Sequence, residues 1–158
     1  MSIRIVGTGS ALPERKVTNE EIAELVDTSD EWIRERTGIG SRYVSTKETV
    51  ASLAADACVR AMRQAGREAE EVQLLLVATC TPEDALPCMA CQVQEKIGAV
   101  NAVAFDVNAA CAGFLFALNT AWAYIASGIY ENALIVGSEV LSKMIDWNDR
   151  GTCILFGD

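Results

Sequence analysis

Apolar residues recur every three or four positions along residues 50–65, and this spacing predicts a helix with one buried face. Cys58 falls in that face, and Gly66 directly after the segment is suited to end the helix. Two capping boxes, which begin at Thr18 and Thr28, predict two earlier helices. With one further segment, the predicted helices are residues 18–26, 28–38, 50–65 and 88–97.

Short apolar runs between these helices predict β-strands. The run QLLLVAT, residues 73–79, is apolar almost throughout, which is typical of a strand buried on both faces. Strands and helices alternate along the chain, and this order predicts an α/β sandwich whose central strands are parallel. The predicted strands are residues 2–7, 73–79, 102–108, 132–138 and 152–158.

A long uncharged segment lies between Asp106 and Glu131, and its length could span a bilayer. Its beginning has the pattern of a strand, and Gly113 and Gly128 interrupt it together with several polar residues. We therefore interpret its second part, to about Ser127, as a helix buried on all sides and expect no membrane segment. The first residues lack the features of a targeting peptide.

Composition narrows the classes of partner. The chain has 158 residues, 51% of them hydrophobic, which is enough for one domain with a substantial core. A formal net charge of -9 argues against a nucleic-acid partner, because nucleic-acid binding needs a basic surface. A phosphate group would need a local basic patch, for which the sequence offers Arg34, Arg36 and Arg42. Six cysteines without a secretory leader favour free thiols in a reducing cytoplasm.

Cys111 lies between small residues in FDVNAACAGF, just after a predicted strand and near the first turn of a helix. Unpaired N–H groups and the helix dipole favour an anion there, and such a position can lower a thiol pKa from about 8.5 to roughly 3.5–7.5. The residues alone leave two interpretations open. Cys111 is either a nucleophile or a small hydrophobic residue of the core.

DVNAACAGF and its flanking segments resemble the β-ketoacyl-acyl-carrier-protein synthase III family. Further segments follow in the family's order, and TSDEWIRERTGI is the most specific besides the cysteine segment. The resemblance implies a thiolase-like layered sandwich with a mostly parallel sheet and helices on both faces. It also implies that residues 1–158 are the first of two similar halves, and the end at Asp158 without a closing helix suggests truncation. The other matching segments are IVGTGSALPE, ETVASLAADA, LLLVATCTPE, PCMACQVQ and GSEVLSKMIDWNDRGTCILFGD.

The family's activity is a decarboxylative Claisen condensation that starts type II fatty acid synthesis. The resemblance implies that Cys111 takes an acyl group from an acyl-coenzyme A primer, and that malonyl-acyl-carrier-protein then supplies the attacking carbanion. It also implies a cytoplasmic homodimer that needs no cofactor, since the coenzyme A thioester is a substrate. The family's histidine and asparagine belong to its second half, and this chain has no histidine. The chain alone is therefore expected not to condense substrates.

The resemblance also assigns binding residues. It implies that Trp32 and Arg150 sandwich the adenine of coenzyme A, with Thr28 nearby. Arg36 lies four residues after Trp32 on the same helix face, from which its guanidinium could reach a phosphate of coenzyme A. Without the resemblance, Trp32 and Arg36 would be an exposed cation–π pair, since residues four apart share a helix face. Leu86 and Leu141 match acyl-pocket positions, and Leu86 is expected to reach across a homodimer.

Two rival functions stay open at this stage. One is a related starter-unit acyltransferase of a polyketide pathway. The other is a non-catalytic or redox half that uses Cys88 and Cys91, whose C-x-x-C spacing at a helix start matches a dithiol. No proline follows Pro87 to form the cis-proline loop of thioredoxin folds, so we interpret both cysteines as helix-packing residues. Gly7-Thr8-Gly9 is too short for a nucleotide fingerprint.

Overall fold

The computed structural model describes residues 3–158, which form two compact units. The first unit contains residues 3–11 and 49–139, and the second contains residues 12–48 and 140–158. In chain order, the strands are β1 (Arg15–Thr18), β2 (Ser41–Val44), β3 (Leu74–Ala78), β4 (Val103–Val107) and β5 (Leu134–Gly137). The helices are α1 (Asn19–Ala23), α2 (Asp30–Thr37), α3 (Val50–Ala65), α4 (Met89–Ile97), α5 (Gly113–Ala126) and α6 (Arg150–Cys153).

The first unit is built on a parallel three-stranded sheet with the order β4-β3-β5. All five residues of β3 are buried. Leu74, Leu76 and Ala78 pack with α5 on one face. Leu75 and Val77 point to the opposite face because strand side chains alternate, and both are fully buried there. The other helices that contact the sheet are α3 and α4, so helices cover both faces, as predicted.

The second unit has a small antiparallel pair, β1 with β2, which the apolar pattern did not predict. Arg42 on β2 is only 5% exposed, and its Nη2 donates to Asn19 Oδ1 at 2.9 Å and to the Ile154 carbonyl at 3.2 Å. Arg42 therefore does not belong to an exposed basic patch, which corrects the sequence-based expectation. The core of this unit consists of Val17, Ile22, Ile33, Val44, Cys153 and Ile154.

Two predicted strands are wrong. Residues 3–13 have no regular secondary structure, because no other strand pairs with their backbone within the described part of the chain, and residue 2 lies outside that part. The segment 152–158 is not a strand either. Asp149 caps α6 by accepting a hydrogen bond from the Gly151 N–H at 2.9 Å, and Cys153 and Ile154 enter the core, whereas Leu155 and Phe156 are exposed.

Helix ends follow the capping chemistry with two differences. The box of Thr18 and Glu21 forms as predicted, but α1 ends at Ala23 rather than at Val26. The N-cap of α2 is Ser29, whose hydroxyl accepts from the Trp32 N–H, so Thr28 does not cap this helix. Gly66 and Gly98 end α3 and α4 as predicted.

Helix α5 is not buried on all sides. Gly113, Ala117 and Ala121 are its buried residues, and its remaining surface exposes large apolar side chains. These are Phe114, Leu115, Phe116 and Trp122. Within residues 3–158, every helix is too short or too polar to cross a bilayer.

Gly7 lies against α3. A Cβ atom at Gly7 would collide with the Ala61 carbonyl and would lie 2.9 Å from the Ala65 Cβ. Glycine therefore allows the amino-terminal segment to approach the helix closely, which is a packing role and not a nucleotide-binding one.

Candidate functional site

The carboxyl ends of β3, β4 and β5 meet at one edge of the first unit, because the three strands are parallel. Cross-strand bonds continue beyond the strands there, since the Thr79 N–H donates to the Val107 carbonyl at 3.3 Å and the Ser138 N–H donates to the Ala78 carbonyl at 3.1 Å. Three loops start from this edge, and each contributes a polar or nucleophilic side chain. These side chains are Cys80, Cys111 and Glu139.

Cys111 lies four residues after β4, in a 3-10 turn (Ala110–Ala112) that leads directly into α5. Its side chain is an exposed free thiol. Ala110 has φ 45°, a left-handed conformation that non-glycine residues rarely adopt and that is concentrated at functional sites. A Cβ at Gly113 would lie 3.2 Å from the Ala78 Cβ, so glycine keeps the start of α5 close to β3. The thiol thus stands in the turn that leads into the start of α5.

Glu139 ties the loop after β3 to the loop after β5. Its carboxylate accepts from Thr79 Oγ1 at 3.2 Å and from the Cys80 N–H at 2.8 Å, and it is also bonded to Thr81 Oγ1. Burial raises the pKa of the Cys80 thiol, and the Glu139 carboxylate and the neighbouring Cys111 add to this effect. A second thiol therefore stands at the same edge of the sheet as Cys111.

Cys80 and Glu139 were missed by the sequence analysis. Each lies at or just beyond the carboxyl end of an apolar strand, and in a parallel sheet such positions converge on one edge. That rule could have selected them.

Cys88 and Cys91 are also in contact. Cys88 is the N-cap of α4, and the two sulfur atoms share a hydrogen bond at 3.4 Å. The Asp106 carboxylate binds the start of this helix, accepting from the Met89 N–H at 2.8 Å and from the Ala90 N–H at 2.6 Å. Both thiols are half-buried and free, and the peptide bond between Leu86 and Pro87 is cis.

The residues expected to bind coenzyme A lie in the second unit. The Arg36 guanidinium carbon is 4.1 Å from the centroid of the Trp32 ring, and that of Arg150 is 4.6 Å from it. Arg150 Nη1 donates to the Asp27 carbonyl at 3.1 Å. Thr28 Oγ1 is buried and has no hydrogen-bond partner. The structure thus brings Trp32, Arg36 and Arg150 together and leaves the buried Thr28 hydroxyl unpaired.

The two predicted acyl-pocket residues belong to different units. Leu86 is 87% exposed in the loop before α4. Leu141 is half-buried in the 3-10 turn Leu141–Lys143 of the second unit. Their role in an acyl pocket stays a prediction. Across residues 3–158, no group of three or more cysteine, aspartate or glutamate side chains is arranged to hold a metal ion.

Comparison with known proteins shows which family this chain is similar to. The family model of 3-oxoacyl-[acyl-carrier-protein] synthase III matches residues 105–158, which include Cys111. The β-ketoacyl-[acyl-carrier-protein] synthase III of Clostridium acetobutylicum is 56% identical over 157 residues, which are 99% of this chain and 48% of that protein. Over nearly its whole length the chain is similar to members of the β-ketoacyl-[acyl-carrier-protein] synthase III family. It spans about half the length of the relatives that it matches.

Solved structures of synthase III relatives have the same fold. The 3-oxoacyl-[acyl-carrier-protein] synthase III of Aquifex aeolicus superposes with a TM-score of 0.98 at 45% identity, covering 99% of this chain and 51% of that one. The priming β-ketosynthase of the R1128 polyketide pathway has a TM-score of 0.95 at 38% identity, covering 98% of this chain and 47% of that one. The α/β fold predicted from the synthase III resemblance is therefore confirmed.

Proposed function

We propose that this chain is the acyl-accepting part of a synthase III that condenses an acyl-coenzyme A primer with malonyl-acyl-carrier-protein. The exposed Cys111 thiol at the start of α5 is the observation that carries the proposal. We further propose that the enzyme is a cytoplasmic homodimer that starts type II fatty acid synthesis. Leu141 would line the acyl pocket, and the exposed Leu86 would reach across the homodimer into the acyl pocket of the partner subunit.

The first chemical step is acyl transfer. The Cys111 thiolate attacks the thioester carbonyl of the primer, a new carbon–sulfur bond forms, and coenzyme A leaves as a thiolate. In the second step malonyl-acyl-carrier-protein loses carbon dioxide, and its carbanion attacks the Cys111 thioester and releases the cysteine thiolate. The enolate that develops in this step needs hydrogen-bond donors. Since the chain has no histidine, the family's histidine would have to be supplied by another segment or chain.

The cluster at Trp32 supports a coenzyme A site. An adenine ring needs about 3.5–4 Å to each neighbouring plane, so it could enter between Trp32 and Arg150 only if the guanidinium moved outward from its present 4.6 Å contact. Arg150 is exposed, which makes such a movement easy. Arg36 would attract the phosphates of the ligand, and Thr28 Oγ1, which is buried and unpaired, would have to become exposed to hydrogen-bond it.

Replacing Trp32 with alanine should weaken coenzyme A binding by roughly 10- to 100-fold, because stacking of one base contributes about 1–3 kcal/mol. Arg150→Ala should weaken binding in the same direction. Isothermal titration with coenzyme A would measure both affinities. Trp122→Ala is the matched control, since Trp122 is an exposed tryptophan of the first unit and its removal should leave the affinity unchanged. Equal affinities for Trp32→Ala and the unsubstituted chain would rule this site out.

The condensing activity can be tested by separating its two steps. With acetyl-coenzyme A and malonyl-acyl-carrier-protein, the chain alone should release coenzyme A once per cysteine acylated and should release no carbon dioxide. The complete Clostridium acetobutylicum relative serves as the positive control for the assay. Continuous carbon dioxide release by the chain alone would contradict the proposed division of the two steps.

A polyketide starter-unit acyltransferase is the second candidate, and the likeness to the R1128 priming β-ketosynthase favours it. The two functions differ in the acyl group that reaches Cys111. Acylation rates of Cys111 with a series of acyl-coenzyme A primers would separate the two functions. An enzyme of fatty acid synthesis should prefer the primers of fatty acid synthesis, and a polyketide enzyme should prefer its own starter unit.

A further inference from the structure

Acyl transfer at Cys111 leaves the pair formed by Cys88 and Cys91 without a role. The two residues are separated by two positions at the first turn of α4, which has nine residues. Residues three apart on a helix are surface neighbours, so both side chains emerge on the same side. Their sulfur atoms are 3.4 Å apart. Closing a disulfide from this arrangement needs a movement of little more than 1 Å, because the bond length is about 2 Å.

The surroundings of the pair preserve this geometry. Asp106 at the end of β4 holds the N–H groups of Met89 and Ala90, and Cys91 N–H donates to the Cys88 carbonyl at 3.0 Å. The first turn of α4 is therefore fixed by hydrogen bonds that do not involve the sulfurs. Changing the sulfur chemistry would leave these bonds intact.

Both thiols can be reached from solvent, since neither residue is fully buried and the six residues before Cys88 are exposed. The Cys58 thiol, in contrast, is buried and cannot be reached from solvent, and its burial raises its pKa to about 12. The shared hydrogen bond with Cys88 and burial raise the pKa of Cys91. Cys91 thus resembles the member of a dithiol that keeps its proton until its partner has reacted.

We propose that Cys88 and Cys91 form a reversible disulfide, a modification site separate from Cys111. The oxidant is a low-molecular-weight disulfide of the glutathione class. The Cys88 thiolate attacks one sulfur of the oxidant, a mixed disulfide forms, and one thiolate leaves. Cys91 then loses its proton and attacks the Cys88 sulfur, so that the protein disulfide closes and the second thiolate leaves. Two protein thiols are oxidised by two electrons, and one small disulfide is reduced to two thiols.

The site stands apart from the acyl-transfer proposal, and its test needs no enzymatic activity. The purified chain is incubated with reduced and oxidised glutathione in graded ratios, quenched by acid and alkylated. Cleavage after glutamate then places the pair alone in the peptide 84–95, whereas Cys80 falls in the peptide 72–83 and Cys111 in the peptide 96–131. At oxidising ratios, the peptide 84–95 should carry no alkyl group and should have lost two hydrogen atoms. Reduction with dithiothreitol should restore both alkylation sites.

Single variants show which sulfur does what. Cys91→Ser should trap glutathione on Cys88 as a stable mixed disulfide, while Cys88→Ser should leave Cys91 largely unmodified. Cys111→Ser is the control and should close the pair at the same glutathione ratio as the unsubstituted chain. The proposal fails if the peptide 84–95 stays fully alkylated at every ratio. It also fails if Cys88 is found linked to Cys80 or Cys111 instead.

Discussion

Replacing Cys111 with alanine should abolish the transfer of an acetyl group from acetyl-coenzyme A to the chain. The unsubstituted chain should gain the mass of one acetyl group, because Cys111 is an exposed thiol at a helix start. Alanine removes the nucleophile and is as small as the neighbouring residues, so the turn Ala110–Ala112 can keep its conformation. Intact-mass spectrometry after incubation with acetyl-coenzyme A measures the effect. No acetylated Cys111→Ala chain should be detected.

Two control variants make this result specific. Cys91→Ala removes a thiol from α4 and should leave acetylation complete. Cys80→Ala removes the other thiol at this edge of the sheet, and the Cys80→Ala variant should also be fully acetylated. If acetylation survives Cys111→Ala but disappears with Cys80→Ala, the acyl group is carried by Cys80 and not by Cys111, and the proposal is overturned.

The second large effect concerns stability. Leu76→Ala should lower the free energy of unfolding by about 2–5 kcal/mol, because a fully buried leucine leaves both lost apolar contact and a cavity. Leu76 is the middle residue of β3, the central strand, and its side chain packs with Ala117 and Ala121 of α5. Urea unfolding followed by circular dichroism would measure the change in the transition midpoint.

Leu86→Ala is the matched control, since it makes the same chemical change at a residue that is 87% exposed. We expect a change within about 0.5 kcal/mol there. Comparable losses in the two variants would mean that β3 is not the centre of the folding core. Leu76 lies in β3, which supports the edge of the sheet where Cys111 stands, but its side chain is buried in the core. Leu76→Ala should therefore reduce acetylation of Cys111 only in proportion to the fraction of unfolded chain.

Local sequence was a reliable guide wherever one residue type decides a local conformation. The capping box at Thr18 and the glycine after α3 were predicted from chemistry that acts within four residues, and both are present. The all-apolar run that contains β3 was equally clear, since only a strand covered on both faces tolerates it. The position of Cys111 between a strand and a helix followed from the same two patterns.

Predictions that depended on a distant partner were the ones that failed. Residues 3–7 have the composition of a strand, yet a strand exists only where another backbone pairs with it. The apolar residues near the end of the chain were interpreted as a strand too, but the cap supplied by Asp149 starts a helix before them. Helix α5 was expected to be buried on every side. Only Gly113, Ala117 and Ala121 are buried in it, so its sequence did not show which of its faces has a packing partner.

The sequence by itself determined the three strands of the parallel sheet, the helices from α2 to α5 and the glycines that end α3 and α4, because each depends on residues that are close together along the chain. Only the tertiary structure decided which side chains meet. It brings Glu139 to the loop after β3, buries Arg42 beside Asn19, and stacks Arg150 on Trp32 across a long stretch of chain. Such contacts arise from the parallel pairing of strands and the packing of each unit's core, and no spacing along one segment specifies them.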